Sequence, residues 1–328
     1  MKNKFFRSKL FSVGMILFLM LFISACSNKP GTIGEFIYAA GWYTDASNNM
    51  IACYWKNGVK TDLTVVVPIG TTETRATGIF VSGSDVYVAG YYKYSGVNYA
   101  CYWKNGVKTD LTVSPTPDGA TATSIYVSDS VVYVTGSYTN STGSVACYWA
   151  DDTINPVTET DLSVSTALAG VTATSIYVSG SVVYVAGSYT NSTGSVACYW
   201  TDDTINPVTE TDLSVLTAPA GVTATSIYVS GSYVYVADTY INGGVNYAAM
   251  WTSDTVNLPV PQTYLTELTA PAGVTATSIY MIASDVYVGG YYTGTGSVAC
   301  YWKNGVRADL PAVTNKDAEV ESIFVATL

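Results

Sequence analysis

The triplet Cys-Tyr-Trp recurs at Cys53-Tyr54-Trp55, Cys101-Tyr102-Trp103, Cys147-Tyr148-Trp149, Cys198-Tyr199-Trp200 and Cys300-Tyr301-Trp302, with Ala249-Met250-Trp251 in the sixth place. The tryptophans are 48, 46, 51, 51 and 51 residues apart. A period near 50 lies in the range of propeller blades, and internal repetition at such a period decides the fold before any local reading does. A single unit of this kind cannot bury its apolar face alone and must stack on its neighbours.

Each unit reads as four short strands. In the unit that follows Ala76, the strands fall at Thr77–Val81, Val86–Tyr92, Asn98–Trp103 and Val107–Thr112. β-branched and aromatic residues fill them, and turn residues separate them. Lys104-Asn105-Gly106 supplies the Asn-Gly signal of a type I′ hairpin. The ends of the chain predict how the repeat closes. Phe36–Tyr43 matches a second strand with no first strand before it, and Val320–Val325 matches a first strand with nothing after it. Pairing the two would complete one blade and remove a free sheet edge. The fold class expected is therefore all-β. It is a six-bladed β-propeller of four-stranded blades spanning residues 35–328, closed by the C-terminal strand on the N-terminal blade.

Segments such as VYVAGYYKYSGVNYACYWKNGVKTDLT (residues 86–112) resemble the extracellular HAF-type repeats of bacterial proteins: a Val-rich strand, a Trp-x-Asn-Gly-Val turn and an Asp-Leu. The likeness extends over residues 35–327. A His that often precedes the Trp strand in that family is absent, because this chain has no histidine. The resemblance implies an exported propeller and brings no catalytic residue with it.

Residues 1–25 read as a lipoprotein signal peptide. Lys2, Lys4, Arg7 and Lys9 precede an apolar run from Phe11 to Ile23, too short for a comfortable membrane span. Ile23-Ser24-Ala25-Cys26 resembles a lipobox, which makes Cys26 the lipidation site. Residues 26–34 read as a tether, and several acyl chains on Cys26 would hold the domain at a membrane. The expected location is the bacterial cell envelope outside the cytoplasm. Ser27, rather than Asp, points to the outer membrane where the host has one.

Without its first 25 residues the chain holds 10 Lys and Arg against 24 Asp and Glu. Such a balance argues against nucleic acid as a partner. Residues 122–268 carry 12 acids and no base, so the charge is lopsided around the ring. Cys53, Cys101, Cys147, Cys198 and Cys300 occupy one equivalent site that also accepts Met250. They read as buried free thiols rather than disulfides or metal ligands. The Asp that recurs before Leu (Asp62, Asp110, Asp161, Asp212, Asp309) and the Tyr that ends the second strand read as structural. Asp151-Asp152 and its copy lack the spacing of a calcium loop. No metal and no cofactor is expected.

Functional residues are sought where the blades differ. The residue before the recurrent Tyr is Trp42, Tyr91 and Tyr291 in units 1, 2 and 6, but Ser or Thr in the others. These three, with the loop residue Tyr94, are the candidate binding residues. Without His there is no Ser-His or Cys-His pair, and no nucleotide loop is present. The expectation is a non-catalytic, monomeric envelope lipoprotein that binds protein or carbohydrate. Two alternatives stand beside it: a glycan-active propeller enzyme using channel carboxylates, and a structural or antigenic surface protein.

Overall fold

A computed structural model describes residues 35–327, other than 64–69, 72, 112–118, 142, 153, 163–168, 193, 204–207, 214–222, 231, 243–244, 255–259, 265–273, 283–284, 294–295, 304–305 and 312–316. The expected signal peptide, Cys26 and tether lie outside the described residues. The described chain is all-β. Unit 1 contains β1 (Glu35–Thr44), β2 (Met50–Lys56) and β3 (Val59–Asp62). Unit 2 contains β4 (Glu73–Ser82), β5 (Asp85–Tyr94), β6 (Val97–Lys104) and β7 (Val107–Asp110). Unit 3 runs β8 (Ala120–Ser128), β9 (Val131–Asn140), β10 (Gly143–Asp151), β11 (Thr158–Asp161). Unit 4 runs β12 (Ala169–Ser179), β13 (Val182–Asn191), β14 (Gly194–Asp202), β15 (Thr209–Asp212). Unit 5 runs β16 (Thr223–Ser230), β17 (Tyr233–Asn242), β18 (Val245–Asp254), β19 (Val260–Tyr264). Unit 6 runs β20 (Val274–Ile282), β21 (Asp285–Thr293), β22 (Ser297–Lys303), β23 (Val306–Asp309), and β24 (Ala318–Thr327) follows.

Within each unit neighbouring strands pair antiparallel, as hairpins in chain order. β24 pairs antiparallel with β1, from Glu35↔Thr327 to Tyr43↔Ala318, as the sequence ends predicted. Units 1 and 2 share one sheet through a single parallel bridge, Met50↔Glu73. The first strands touch in the order β24, β4, β8, β12, β16, β20, and β20 in turn touches β24.

Why these residues form these strands is visible in their burial. On β4 the side chains alternate between half-buried and buried, with Thr74, Ala76, Ile79 and Val81 on the buried side. Trp55, Trp103, Trp149 and Trp200 are fully buried between sheets. At the Asn-Gly turns Asn57 and Gly58 have φ of 49° and 79°, and Asn105 and Gly106 have 51° and 83°. Two successive positive φ values are what a type I′ turn demands. The five repeat cysteines are free and buried, and burial raises their thiol pKa values, Cys300 to about 12. The recurrent Asp accepts a hydrogen bond, though not the local backbone bond expected of it. Its donor is the recurrent Tyr hydroxyl across the sheet: Tyr43 to Asp62 at 3.0 Å, Tyr138 to Asp161 at 3.1 Å, Tyr189 to Asp212 at 3.0 Å.

The first strands are longer than the sequence reading allowed. β4 begins at Glu73 rather than Thr77, and β24 at Ala318 rather than Val320. The extra residues, Glu73-Thr74-Arg75-Ala76 and Ala318-Glu319, are small or charged, so they lack the bulky apolar alternation that marks a strand. The extensions are where the hub acquires its charge.

Candidate active site

Every first strand carries a β-bulge at one equivalent residue: Thr77, Thr123, Thr174, Thr225, Thr277 and Glu321. A bulge leaves one residue out of the ladder and re-aims its side chain. The bulged threonines use that freedom to reach the next unit. Thr77 donates to Ala122 O at 2.8 Å, Thr123 to Ala173 O at 2.8 Å, Thr174 to Ala224 O at 2.7 Å and Thr277 to Val320 O at 2.6 Å. These hydroxyl latches join one first strand to the next. Glu321 is the sixth member of the set, and a carboxylate has no proton to donate to a carbonyl unless it is protonated. At the seam between units 1 and 2 the Thr74 hydroxyl instead accepts from Ala52 N at 2.8 Å and donates to Met50 O at 3.2 Å.

Charge gathers at this one seam. Two residues before the bulge the units carry Arg75, Thr121, Thr172, Thr223, Thr275 and Glu319; four residues before it they carry Glu73, four glycines and Asp317. Among the described residues, Gly119, Thr121, Gly170 and Thr172 hold these places in units 3 and 4, whereas units 1 and 2 hold Glu73, Arg75, Asp317, Glu319 and Glu321 at and around them. Arg75 Nε donates to Glu73 Oε1 at 3.0 Å, and Lys93 Nζ lies 4.0 Å from Glu73 Oε2. The Arg75 guanidinium also lies over the Trp42 ring, 4.7 Å from its centroid. Tyr91 donates to Glu73 Oε1 at 3.4 Å.

Burial raises the pKa of Glu321 first of all, and the charge of Glu319 raises it further; Trp42 and Arg75 pull it part of the way back. Glu319 is raised by burial as well, with Ser297 and Arg75 opposing. Burial pushes the Tyr91 phenol up to about 12. Trp42 is 4% exposed, and its indole N–H, though close enough to Glu321 to act on its titration, makes no well-formed hydrogen bond. An orphaned buried donor beside a carboxyl whose pKa burial raises is an arrangement suited to a polar ligand.

The sequence-predicted residues divide. Trp42 and Tyr91 belong to this cluster, opposite Glu319 and Arg75 in the strand register. Trp42 offers no open stacking face, since it lies buried beneath Arg75. Tyr291 is half-buried at the equivalent place in unit 6, opposite Thr275. Tyr94 is 39% exposed at the C-terminal end of β5, next to Lys93, which lies opposite Glu73 in the strand register. Glu73, Arg75, Glu319 and Glu321 were not anticipated. The signal for them lies in the sequence: aligning the six first strands on their Ile shows Thr giving way to Glu or Arg in two units only. Elsewhere, an open depression of about 550 Å³ between units 2 and 3 is lined by Tyr102, Lys104, Asp151 and Asn155. There Asp151 is already bonded by the Tyr102 hydroxyl at 2.7 Å, a bond that Tyr148 and Asp202 repeat at 2.6 Å one unit on.

No family model matches the sequence, and no curated protein matches it. Solved structures do. A fungal lectin from Aleuria aurantia, a six-bladed β-propeller with a fucose recognition mode, is similar over 84% of this chain and 91% of its own, at 12% identity and a TM-score of 0.50. A GH43 endo-arabinanase from Bacillus licheniformis is similar over 74% of this chain and 95% of its own, at 13% identity and a TM-score of 0.41. A sucrose-6-phosphate hydrolase from Lactobacillus gasseri is similar over 73% of this chain and 60% of its own, at 11% identity and a TM-score of 0.44. At such identities the likeness concerns the fold, and the fold is that of a β-propeller. The expectation of a non-catalytic binding scaffold is corrected here. The hub is not lined throughout by Ser, Thr and backbone, as a scaffold would have it. It holds half-buried acids contributed by two different blades, Glu319 and Glu321 on β24 and Glu73 on β4.

Proposed function

We propose that the chain is a glycan-active hydrolase built on a closed six-bladed propeller, with its site at the hub between blades 1 and 2. One observation carries this reading. The threonine whose hydroxyl latches first strands together at four other bulges is replaced at a single seam by Glu321, whose burial raises its carboxyl pKa, while Arg75 of β4, itself paired to Glu73, lies close enough to oppose that rise. Glycosidic cleavage in most hydrolase families uses such a pair: one carboxylic acid with a raised pKa protonates the leaving oxygen, and a second, ionised carboxylate acts on the other face of the sugar. In this assignment Glu321 is the acid, and Glu73, level with Asp317 in the strand register and paired to Arg75, is the carboxylate that the neighbouring blade supplies nearer the mouth. Arg75 fixes the Glu73 carboxylate, and the Trp42 N–H is a donor left free for a substrate hydroxyl. Glu319 beside Glu321 favours the protonated form of Glu321, because two carboxylates in one site resist joint ionisation.

Purified protein incubated with linear arabinan, levan and β-glucan is expected to release small sugars from at least one of them. Glu321→Gln should lower the rate by about 10²–10⁴, the usual contribution of a general acid. Equal rates for wild type and Glu321→Gln would refute the assignment. The same reading places the enzyme outside the cytoplasm, held through Cys26. Labelling of cells with a palmitate analogue should mark the wild-type chain and leave Cys26→Ser unmarked; equal label in both would rule out the anchor.

A further inference from the structure

Three residues beyond each bulge, every first strand carries an aromatic side chain: Phe80, Tyr126, Tyr177, Tyr228, Tyr280 and Phe324. Their rings meet edge to edge around the hub. Centroids are 5.0 Å apart for Phe324 and Phe80, 4.6 Å for Phe80 and Tyr126, 4.7 Å for Tyr126 and Tyr177, 5.2 Å for Tyr177 and Tyr228, and 5.0 Å for Tyr280 and Phe324. Tyr228 lies close enough to Tyr280 to raise its phenol pKa. A six-sided ring with sides near 5 Å has a radius of about the same length. Each ring's own half-thickness of roughly 1.8 Å then leaves a free radius of about 3 Å at most. Water passes such an aperture; a hydrated sugar ring does not.

The acids sit on the other side of this collar. Along β24 Asp317 is exposed at the mouth, and Glu319 and Glu321 follow at every second residue. At about 3.3 Å per residue, Glu321 lies roughly 13 Å in from Asp317, and the collar residue Phe324 roughly 10 Å beyond Glu321. A chain that reaches Glu321 must therefore enter from the Asp317 side, and it meets a wall soon after.

We infer that the hub is a blind pocket and that the protein acts on the ends of glycan chains, releasing one or two sugar units at each cut. This rests on the hydrolase reading above. An internal stretch of polymer would have to fold back on itself to descend to Glu321. Pocket depth below the acid, set by the collar, fixes the size of the product.

The test uses oligosaccharides of the glycan that the wild-type protein hydrolyses, labelled fluorescently at the reducing end and followed over time by chromatography. Stepwise shortening, with monosaccharide or disaccharide as the early product, is the expected result. Early appearance of mid-length fragments would overturn the blind pocket while leaving the hydrolase reading intact. Absence of hydrolysis on any of arabinan, levan and β-glucan would remove both. Phe80→Ala combined with Phe324→Ala should lengthen the released product by at least one unit; a folded double variant whose products are unchanged in size would also count against the collar as the wall.

Discussion

Glu321→Thr is expected to raise the thermal stability of the protein and to abolish hydrolysis. The substitution restores at the seam between blades 1 and 2 the hydroxyl that four other bulges are seen to use. A net hydrogen bond contributes about 1 kcal/mol, and the loss of a buried carboxyl adds to it. Tm should rise by about 2–4 °C for a chain of this size. The pH dependence carries the same information. Glu321 has a folded-state pKa above its unfolded value, so the folded state binds the proton more tightly. Its contribution favours the fold below the unfolded value near 4.3. That contribution is lost as pH rises from there to the raised folded-state value. Denaturant midpoints measured across this window should fall with pH in the wild type and fall less in Glu321→Thr. Glu319 supplies the slope that remains. A variant that is less stable than wild type, or one that retains activity, would contradict this account of the residue. Gaining stability by removing a functional group is the familiar trade at active sites.

A second large effect is expected from the C-terminal strand. Deleting residues 318–328 should leave a chain with no cooperative unfolding transition. Val320, Ile323 and Val325 on β24 are 0%, 3% and 1% exposed. Burying three such side chains is worth about 1.5–3 kcal/mol each, which rivals the whole net stability of a domain. The deletion also bares the edge of β1 along Glu35–Thr44, an invitation to aggregation. A circular permutant isolates the cause. Thr327 lies opposite Glu35 in the register, so residues 318–328 placed ahead of residue 35 through a short turn would form a hairpin with β1. This permutant should fold with near-wild-type stability. A truncated chain that unfolds as cooperatively as the full one would show that β24 is not what closes the ring.

The architecture was legible because it is written six times. Trp and Cys at fixed spacing, the Asn-Gly turns, and a first strand displaced to the far end of the chain all survive in the structure at the positions the sequence assigned. The site was legible only in part. Trp42 and Tyr91 stand out as bulky residues where other blades carry Ser or Thr, and both prove to border the acids. The acids themselves were hidden by the strand boundaries. Glu73 and Arg75 fall in the stretch before Thr77 that looks like loop, and Glu319 falls just before Val320. Periodicity finds a strand through its apolar face; a hub-facing strand of Thr, Ala and Gly has little of one. Glu321 was inside the predicted strand, but its meaning depends on the bulge that turns it toward the next blade, and a bulge is a matter of register. The aromatic contacts were hidden in the same way: Tyr126 or Phe324 alone is an ordinary strand residue, and only the packing of one first strand on the next brings their rings together.

The site at the hub is tested most directly by a crystal structure of Glu321→Gln soaked with an oligosaccharide of the glycan the wild type cleaves. Sugar density is expected inside the hub, beside Glu73 and the Trp42 N–H, with its leading unit against Phe80 and Phe324. Sugar bound only elsewhere, in the outer depression between Tyr102 and Asp151 or on the blade loops, with the hub holding none, would contradict it.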